Sequence, residues 1–207
     1  MSTNCYPDLG GNFVVNCNHI PKAGILRKWI GIHDDIDQQA TTVANSDNAG
    51  TVEFGVTQLT LKANAAIYRV EGNDKVHKLK DEAAENDFVD GHIHTDTITF
   101  VDKSQAEFMR VNRMKGRRFF SIVETVDSGG DGLTKFLIGG LDSGMKMTAN
   151  DFDTSENSAT RTVELKTQEN ALESMTVIPI ILNDGGTTDA TPATTLSALE
   201  ALEYVAT

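Results

Sequence analysis

Residues 119–139 read FFSIVETVDSGGDGLTKFLIG, and this stretch decides the fold class. Segments 119–126 and 133–139 are rich in apolar, β-branched and aromatic residues, which is typical of strands. The glycine-rich stretch 127–132 between them predicts a hairpin loop. The sequence therefore predicts an antiparallel hairpin, and we expect a larger sheet to form around it.

Alternating or short apolar runs predict further strands on both sides of the hairpin. These strands are 25–32 with Trp29 as its anchor, 52–56, 59–65, 66–70, 92–101, 145–149, 161–167 and 175–182. The last two are expected to pair with each other across 168–174. Two polar stretches, 34–50 and 150–160, are expected to be long loops, and 79–86 is expected to be a loose helix.

One internal helix is predicted over about 104–115. Ser104 and Glu107 form a capping-box pattern, in which the hydroxyl and the carboxylate each bind a free backbone N–H. Gly116 stands where a C-terminal cap belongs. The apolar residues that follow the cap at three-residue spacing are Phe108, Val111 and Met114. The predicted fold class is thus mainly β, a β-sandwich or barrel with one short internal helix, long loops and extended terminal arms.

Composition divides the chain into an N-terminal arm (1–23), a β-sandwich domain (24–183) and a C-terminal tail (184–207). The tail begins as a linker, because 184–195 consists largely of Gly, Thr, Ala and Asp. Its end places four apolar residues on one helical stripe, namely Leu196, Leu199, Leu202 and Val205. Such a stripe must be covered, either by its own domain or by docking on a neighbouring subunit.

The overall charge of the chain limits the kinds of binding partner that are expected. The 207 residues carry 18 Lys and Arg against 30 Asp and Glu, a net charge of −12. A general nucleic-acid binder needs clustered positive charge, so this class is not expected. No apolar run approaches the roughly 18 residues of a spanning helix, and the first residues lack a secretory pattern. Two cysteines are too few for a disulfide scaffold, which indicates a reducing compartment.

One short segment departs from the acidic background. Residues 101–118 carry six basic and two acidic side chains, a net charge of +4. Its candidate interface cations are Arg110, Arg113, Lys115, Arg117 and Arg118. They form either a solvated helix face or a surface that meets an acidic face of a second copy.

Two clusters of potential ligands are candidate metal sites. On a strand His92, His94 and Asp96 would share one face, although a polar, solvent-facing strand surface explains them better. The second cluster, Cys5, Cys17 and His19, matches no standard zinc module, so free thiols are expected.

Two stretches resemble known functional motifs, but each lacks a feature that the motif requires. The stretch 127–132 resembles a calcium loop, but Ile138 occupies the position that requires a bidentate Glu. The stretch 140–144 resembles a nucleophile elbow with the wrong spacing, and every histidine precedes it. Phosphate-cradling glycine loops are missing from the sequence. We therefore expect no enzyme, no cofactor and no bound metal.

Residues from about 90 to 182 follow a definite order of elements. A Thr-rich strand (94–100) is followed by a polar helix ending in Lys-Gly-Arg (106–117), an apolar strand and glycine hairpin, and a strand leading into Gly-Leu-x-x-Gly and Met-Thr-Ala (138–149). A long loop and a closing strand pair complete the order. This order resembles that of tail tube-like virion proteins of tailed bacteriophages.

This resemblance implies a virion structural protein without catalytic residues or cofactors, made in the bacterial host cytoplasm. Its subunits would form rings, commonly hexameric, that stack into a hollow tube with loops and arms bridging them. DNA would be only a passing cargo, and an acidic lumen would let it pass without sticking. Other virion proteins would be its further partners, and no membrane would be involved.

Two alternatives remain open from the sequence. A capsid decoration or head–tail connector protein would use the same sandwich and arms with a fixed stoichiometry. A carbohydrate- or receptor-binding module would need exposed aromatic residues. Beyond phenylalanine, the chain offers for this purpose Tyr6, Trp29, Tyr68 and Tyr204.

Overall fold

The computed structural model describes most of the chain. The described residues are 22–45, 54–70, 77–85, 90–100, 104–129, 132–152, 161–182 and 190–205. The predicted N-terminal arm lies outside these ranges except for its last two residues. Cys5, Cys17 and His19, together with residues 184–189 of the predicted linker, also lie outside the described residues.

Within these ranges the chain forms eleven strands, one 3₁₀ turn and two α-helices. In chain order they are β1 (Ile25–Ile32), the 3₁₀ turn (His33–Asp35), β2 (Thr42–Asn45), β3 (Phe54–Gln58), β4 (Tyr68–Val70), β5 (Lys78–Glu85), β6 (Asp90–Phe100), α1 (Gln105–Met114), β7 (Arg118–Thr125), β8 (Phe136–Gly139), β9 (Met145–Phe152), β10 (Arg161–Thr167), β11 (Ile178–Pro179) and α2 (Pro192–Ala201). The predicted mainly β fold class with a short internal helix is confirmed.

Nine strands form one antiparallel sheet, and β7 is its junction. The main path runs β11-β8-β7-β9-β10-β6-β5, while β1 pairs with β7 and β4. One edge of β7 pairs with β1 from Phe119 to Thr125. Its other edge pairs first with β9 and then with β8. Strands β2 and β3 form a separate two-stranded ribbon.

Two apolar cores lie on opposite faces of the β1–β7 pair. Trp29 and Phe120 enter the first core, whereas their neighbours Ile30 and Phe119 enter the second. This division follows from the strand period, because successive side chains point to opposite faces. Six consecutive β7 residues, 119–124, are consequently buried. The predicted role of Trp29 as an anchor is confirmed, since it is fully buried.

Each helix covers one of the two cores. Helix α1 contributes Val111 and Met114 to the second core, and α2 contributes Leu199 to the first. The Ser104 hydroxyl accepts a hydrogen bond from the Glu107 N–H at 3.2 Å, so the predicted N-cap of α1 is confirmed. No helix in the described ranges is long and apolar enough to cross a membrane.

The loose helix predicted over 79–86 is wrong, because 78–85 form β5. The segment is rich in Lys, Glu and Ala, which favour helices in isolation. Its full-length antiparallel pairing with β6 satisfies the backbone groups on that side instead. Most of its side chains are exposed, so the apolar alternation that would reveal a strand is weak.

Four other predictions need correction. Strand β2 lies inside the predicted loop 34–50, and β9 continues to Phe152 inside the predicted loop 150–160. The predicted strand 59–65 contains only an isolated bridge from Leu61 to Ile36. The expected pairing of 161–167 with 175–182 is also wrong. Both edges of β10 are occupied by β6 and β9, so β11 pairs with β8.

Candidate functional site

The outer face of α1 is cationic. Glu107, Val111 and Met114 are buried at helical spacing, which turns the intervening positions toward solvent. The exposed cations on and just after the helix are Arg110, Arg113, Lys115 and Arg117. Within the described residues, none of these four forms an ion pair.

Aromatic side chains continue this face onto the sheet. The Arg161 guanidinium of β10 lies 4.3 Å from the centre of the Phe108 ring and 5.0 Å from that of Phe152. The two rings meet edge to face at 5.6 Å. Beside them a groove of about 600 Å³ runs along α1, and exposed Met109 lies in its wall. We call this region, comprising α1, Phe152 and Arg161, the cation–aromatic surface.

Among the described residues, Arg118 is the one predicted interface cation that forms an ion pair within its own chain. Its guanidinium pairs with the Asp34 carboxylate and donates to the Ser143 carbonyl at 3.2 Å. Desolvation acts to raise the pKa of Asp34, but the hydrogen bond and charge of Arg118 outweigh it, and the pKa is lowered. Arg118 therefore belongs to the fold, and the remaining four cations form the available set.

The C-terminal stripe folds back on its own domain. Leu199 is fully buried in the first core, and Leu196 and Leu202 pack against the same core. Of the two alternatives for these three residues, the structure shows packing on the chain itself rather than exposure to a neighbour. Val205 lies beyond the helix and is 76% exposed.

The C-terminal segment is fixed by polar contacts as well. The Trp29 indole N–H donates to the Glu203 carboxylate at 2.5 Å, and the Tyr204 N–H donates to the Ile67 carbonyl at 2.9 Å. Tyr204 and Tyr68 are both exposed, with ring centres 5.6 Å apart. Of the aromatic residues that a carbohydrate site would need, these two remain at the surface, whereas Trp29 does not.

The solvent-facing interpretation of His92, His94 and Asp96 is wrong, since His94 and Asp96 are buried. His92 contacts the Asp81 carboxylate through Nδ1 at 2.9 Å, and His94 Nδ1 accepts the Gly140 N–H at 2.9 Å. Burial lowers the pKa of His94. Among the described residues no group of three or more potential ligands could hold a metal ion.

The turn at 140–144 holds a buried carboxylate. Glu173 accepts the backbone N–H groups of Asp142 at 2.7 Å, Ser143 at 3.1 Å and Gly144 at 2.9 Å. The Ser143 hydroxyl donates to the Leu172 carbonyl at 3.0 Å, which ties the turn to the segment before Glu173. Burial raises the pKa of Glu173 despite these three donors.

Sequence reasoning missed a buried charged pair between β1 and β6, two strands that do not pair with each other. Lys28 of β1 and Asp96 of β6 form an ion pair, and both side chains are fully buried. Burial lowers the pKa of Lys28 and raises that of Asp96, and the charge of each partner opposes these shifts. The available signal was a charge next to an apolar residue on each strand face, since Lys28 shares its face with Ile30 and Asp96 with Ile98.

Comparison with known proteins gives no match to a family model, a curated protein or a solved structure. The function is therefore inferred from the sequence pattern and from the geometry of these surfaces.

Proposed function

We propose that the chain is a virion structural protein, a phage tail-tube subunit that assembles into stacked homo-oligomeric rings. The observation that carries this proposal is the cation–aromatic surface of α1. Four exposed cations on and just after α1, none of them with an ion pair among the described residues, accompany exposed Met109 and Phe152 in a chain whose net charge is −12. Charge complementarity of this kind fits a second copy of the same acidic chain better than a nucleic acid.

Geometry supports a ring over a two-fold dimer. A basic face that meets a different, acidic face makes a heterologous contact, and such contacts close into rings when the rotation between subunits permits. The acidic face has members among the described residues, because exposed Glu82, Glu85 and Asp90 lie at the far end of the sheet path on β5 and β6. In the virion, the remaining acidic surface would line a tube through which DNA passes without binding.

The composition of the cation–aromatic surface suits a protein contact. Interface centres are enriched in aromatic residues, Met and Arg, and this surface combines Phe108, Phe152, Met109 and Arg113. The cation–π contacts of Arg161 contribute roughly 0.5–2 kcal/mol and hold both rings in place before any partner arrives. Preorganisation of this kind lowers the entropy cost of association.

The test compares assembly of the wild type with that of two matched charge-reversal variants. We expect negative-stain electron microscopy of the concentrated wild type to show rings or hollow tubes of uniform diameter. The double variant Arg110→Glu/Arg113→Glu should remain monomeric in light scattering with an unchanged melting temperature. The control Lys22→Glu/Arg69→Glu makes the same change in net charge at exposed positions outside α1, β5 and β6 and should assemble like the wild type.

Each outcome decides between the structural roles. A wild type that stays monomeric at every concentration would contradict self-assembly. Rings of fixed stoichiometry that never stack would replace the tube with a connector or capsid decoration protein. Equal loss of assembly in both double variants would show that net charge, and not the cation–aromatic surface, governs association.

A further inference from the structure

The Lys28–Asp96 pair is poorly satisfied as an ion pair. A charged Lys28 offers three N–H groups, and besides Asp96 its one acceptor among the described residues is the Thr97 carbonyl at 3.3 Å. Asp96 Oδ2 completes no hydrogen bond of normal geometry in that part of the chain. A fully buried charge pair repays its desolvation only when further hydrogen bonds satisfy the remaining groups.

The same surroundings suit a neutral amide. An amide between Nζ and the Asp96 side chain has one N–H to donate and one carbonyl oxygen to accept. The Thr97 carbonyl is the acceptor already next to Nζ. The Ser121 hydroxyl lies close enough to the Asp96 carboxyl to influence its pKa, is fully buried, and has no completed hydrogen bond among the described residues.

We propose that Lys28 and Asp96 form an intramolecular isopeptide bond that covalently links β1 to β6. The proton of the Lys28 ammonium first passes to the Asp96 carboxylate. The neutral amine then attacks the carboxyl carbon, a C–N bond forms, and the C–OH bond breaks. One water molecule leaves with the hydroxyl group and an amine proton, so atoms balance and nothing is oxidised or reduced.

Two features of the site favour this reaction. The Lys28 amine and the Asp96 carboxyl are held in contact by two strands that do not pair with each other, which makes the step effectively unimolecular. Burial also lowers the pKa of the amine and raises that of the acid, so both are pushed toward the neutral forms that the reaction requires. Because both side chains are fully buried, bulk water is excluded from the amide after it forms.

Mass spectrometry of the denatured full chain tests the proposal without any variant. We expect an intact mass lower than the calculated one by a single water molecule. Trypsin should fail to cut after Lys28, and the digest should contain one species that joins peptide 28–62 to peptide 81–103. Fragmentation of this species should place the link at Lys28 and Asp96.

Two controls keep the result decisive. The Lys28→Arg variant keeps a positive charge without a nucleophilic amine, and Asp96→Ala removes the carboxyl, so both should show their full calculated masses. Dehydration at Asp90-Gly91, Asp131-Gly132 or Asp184-Gly185 would give the same mass loss but no joined peptides. A wild type of full mass that is cut after Lys28, or a water loss that persists in Lys28→Arg, would overturn the proposal.

Discussion

The two helices lie on opposite faces of the β1–β7 pair and expose different chemistry. Helix α2 sends Leu199 into the first core and presents the exposed residues Ala193, Ser197 and Glu200 outward. Helix α1 sends Val111 into the second core and presents Arg110, Arg113 and Met109 outward. Both segments are candidate interfaces in the sequence. Helix α1 keeps Arg110 and Arg113 accessible, whereas the C-terminal segment buries Leu199 and packs Leu196 and Leu202 on the first core.

The difference shows that an apolar stripe and a cation cluster are not equally good indicators of an interaction surface. An apolar stripe gains about as much by covering the core of its own chain as by covering a partner, so its pattern cannot identify the occupant. A cation cluster gains nothing from the core and stays at the surface unless an acid pairs with it. The cluster is therefore the more reliable sign of an interaction surface, and Arg118 is the member that an internal acid removed.

The largest expected effect separates the two helices by stability. Leu199→Ala should lower the free energy of unfolding by about 2–5 kcal/mol, because a fully buried leucine leaves a cavity. Met109→Ala should change it by no more than about 0.5 kcal/mol, because Met109 is about half exposed on α1. Urea denaturation of both variants measures the contrast.

In an assembly assay, Met109→Ala should have the larger effect of the two variants, although it has the smaller effect on stability. Met109→Ala should weaken ring formation, whereas Leu199→Ala should leave it intact at temperatures where the variant is folded. A strong loss of stability in Met109→Ala would mean that α1 is packed more deeply than its exposure indicates. An unchanged free energy of unfolding in Leu199→Ala would contradict the packing of α2 on the first core.

Much of the fold was predictable because local signals agreed with tertiary contacts. Strands β1 and β10 and helix α1 follow clear patterns, and the strand predicted over 119–126 has six consecutive buried residues. Strand β5 was not predictable, because an edge strand exposes most of its side chains and carries helix-favouring residues. The β10–β11 pairing also failed, since sequence adjacency does not reveal which edges are already occupied.

The candidate sites were predictable only in part. The basic segment is visible in the sequence as a run of charges. The ion pair of Arg118 with Asp34, however, depends on a long-range contact between the 3₁₀ turn and β7. Lys28 and Asp96 lie 68 positions apart, and no local pattern connects them. Glu173 likewise reaches the 140–144 turn only after the sheet has formed.

A smaller effect is expected at the helix caps. Ser104 caps α1 through the Glu107 N–H, and Thr191 caps α2 through the Thr194 N–H, each at 3.2 Å. Replacing either residue with Ala should cost about 0.5–2 kcal/mol of stability, which thermal unfolding measures. Only Ser104→Ala should also weaken assembly, because it loosens the helix that carries the cation–aromatic surface. Equal weakening by Thr191→Ala would assign α2 a share of the interface.

The smallest effect is expected at the ion pair that engages Arg118. Asp34 has a lowered pKa, so its stabilising contribution is present above its ordinary value of 3.8 and is lost as the pH falls through the folded-state value. Both partners are substantially exposed, which limits the contribution to about 1 kcal/mol at most. Asp34→Asn should therefore be slightly less stable than the wild type above pH 3.8.

Acidification provides the control for that pair. The difference in unfolding midpoint between wild type and Asp34→Asn should close as the pH is lowered, and added salt at neutral pH should reduce it as well. A difference in unfolding midpoint that changes with neither pH nor salt would indicate a packing effect of Asp34. Because Asp34→Asn releases Arg118 without touching the other four cations, unchanged assembly in this variant would confine the interface to those four.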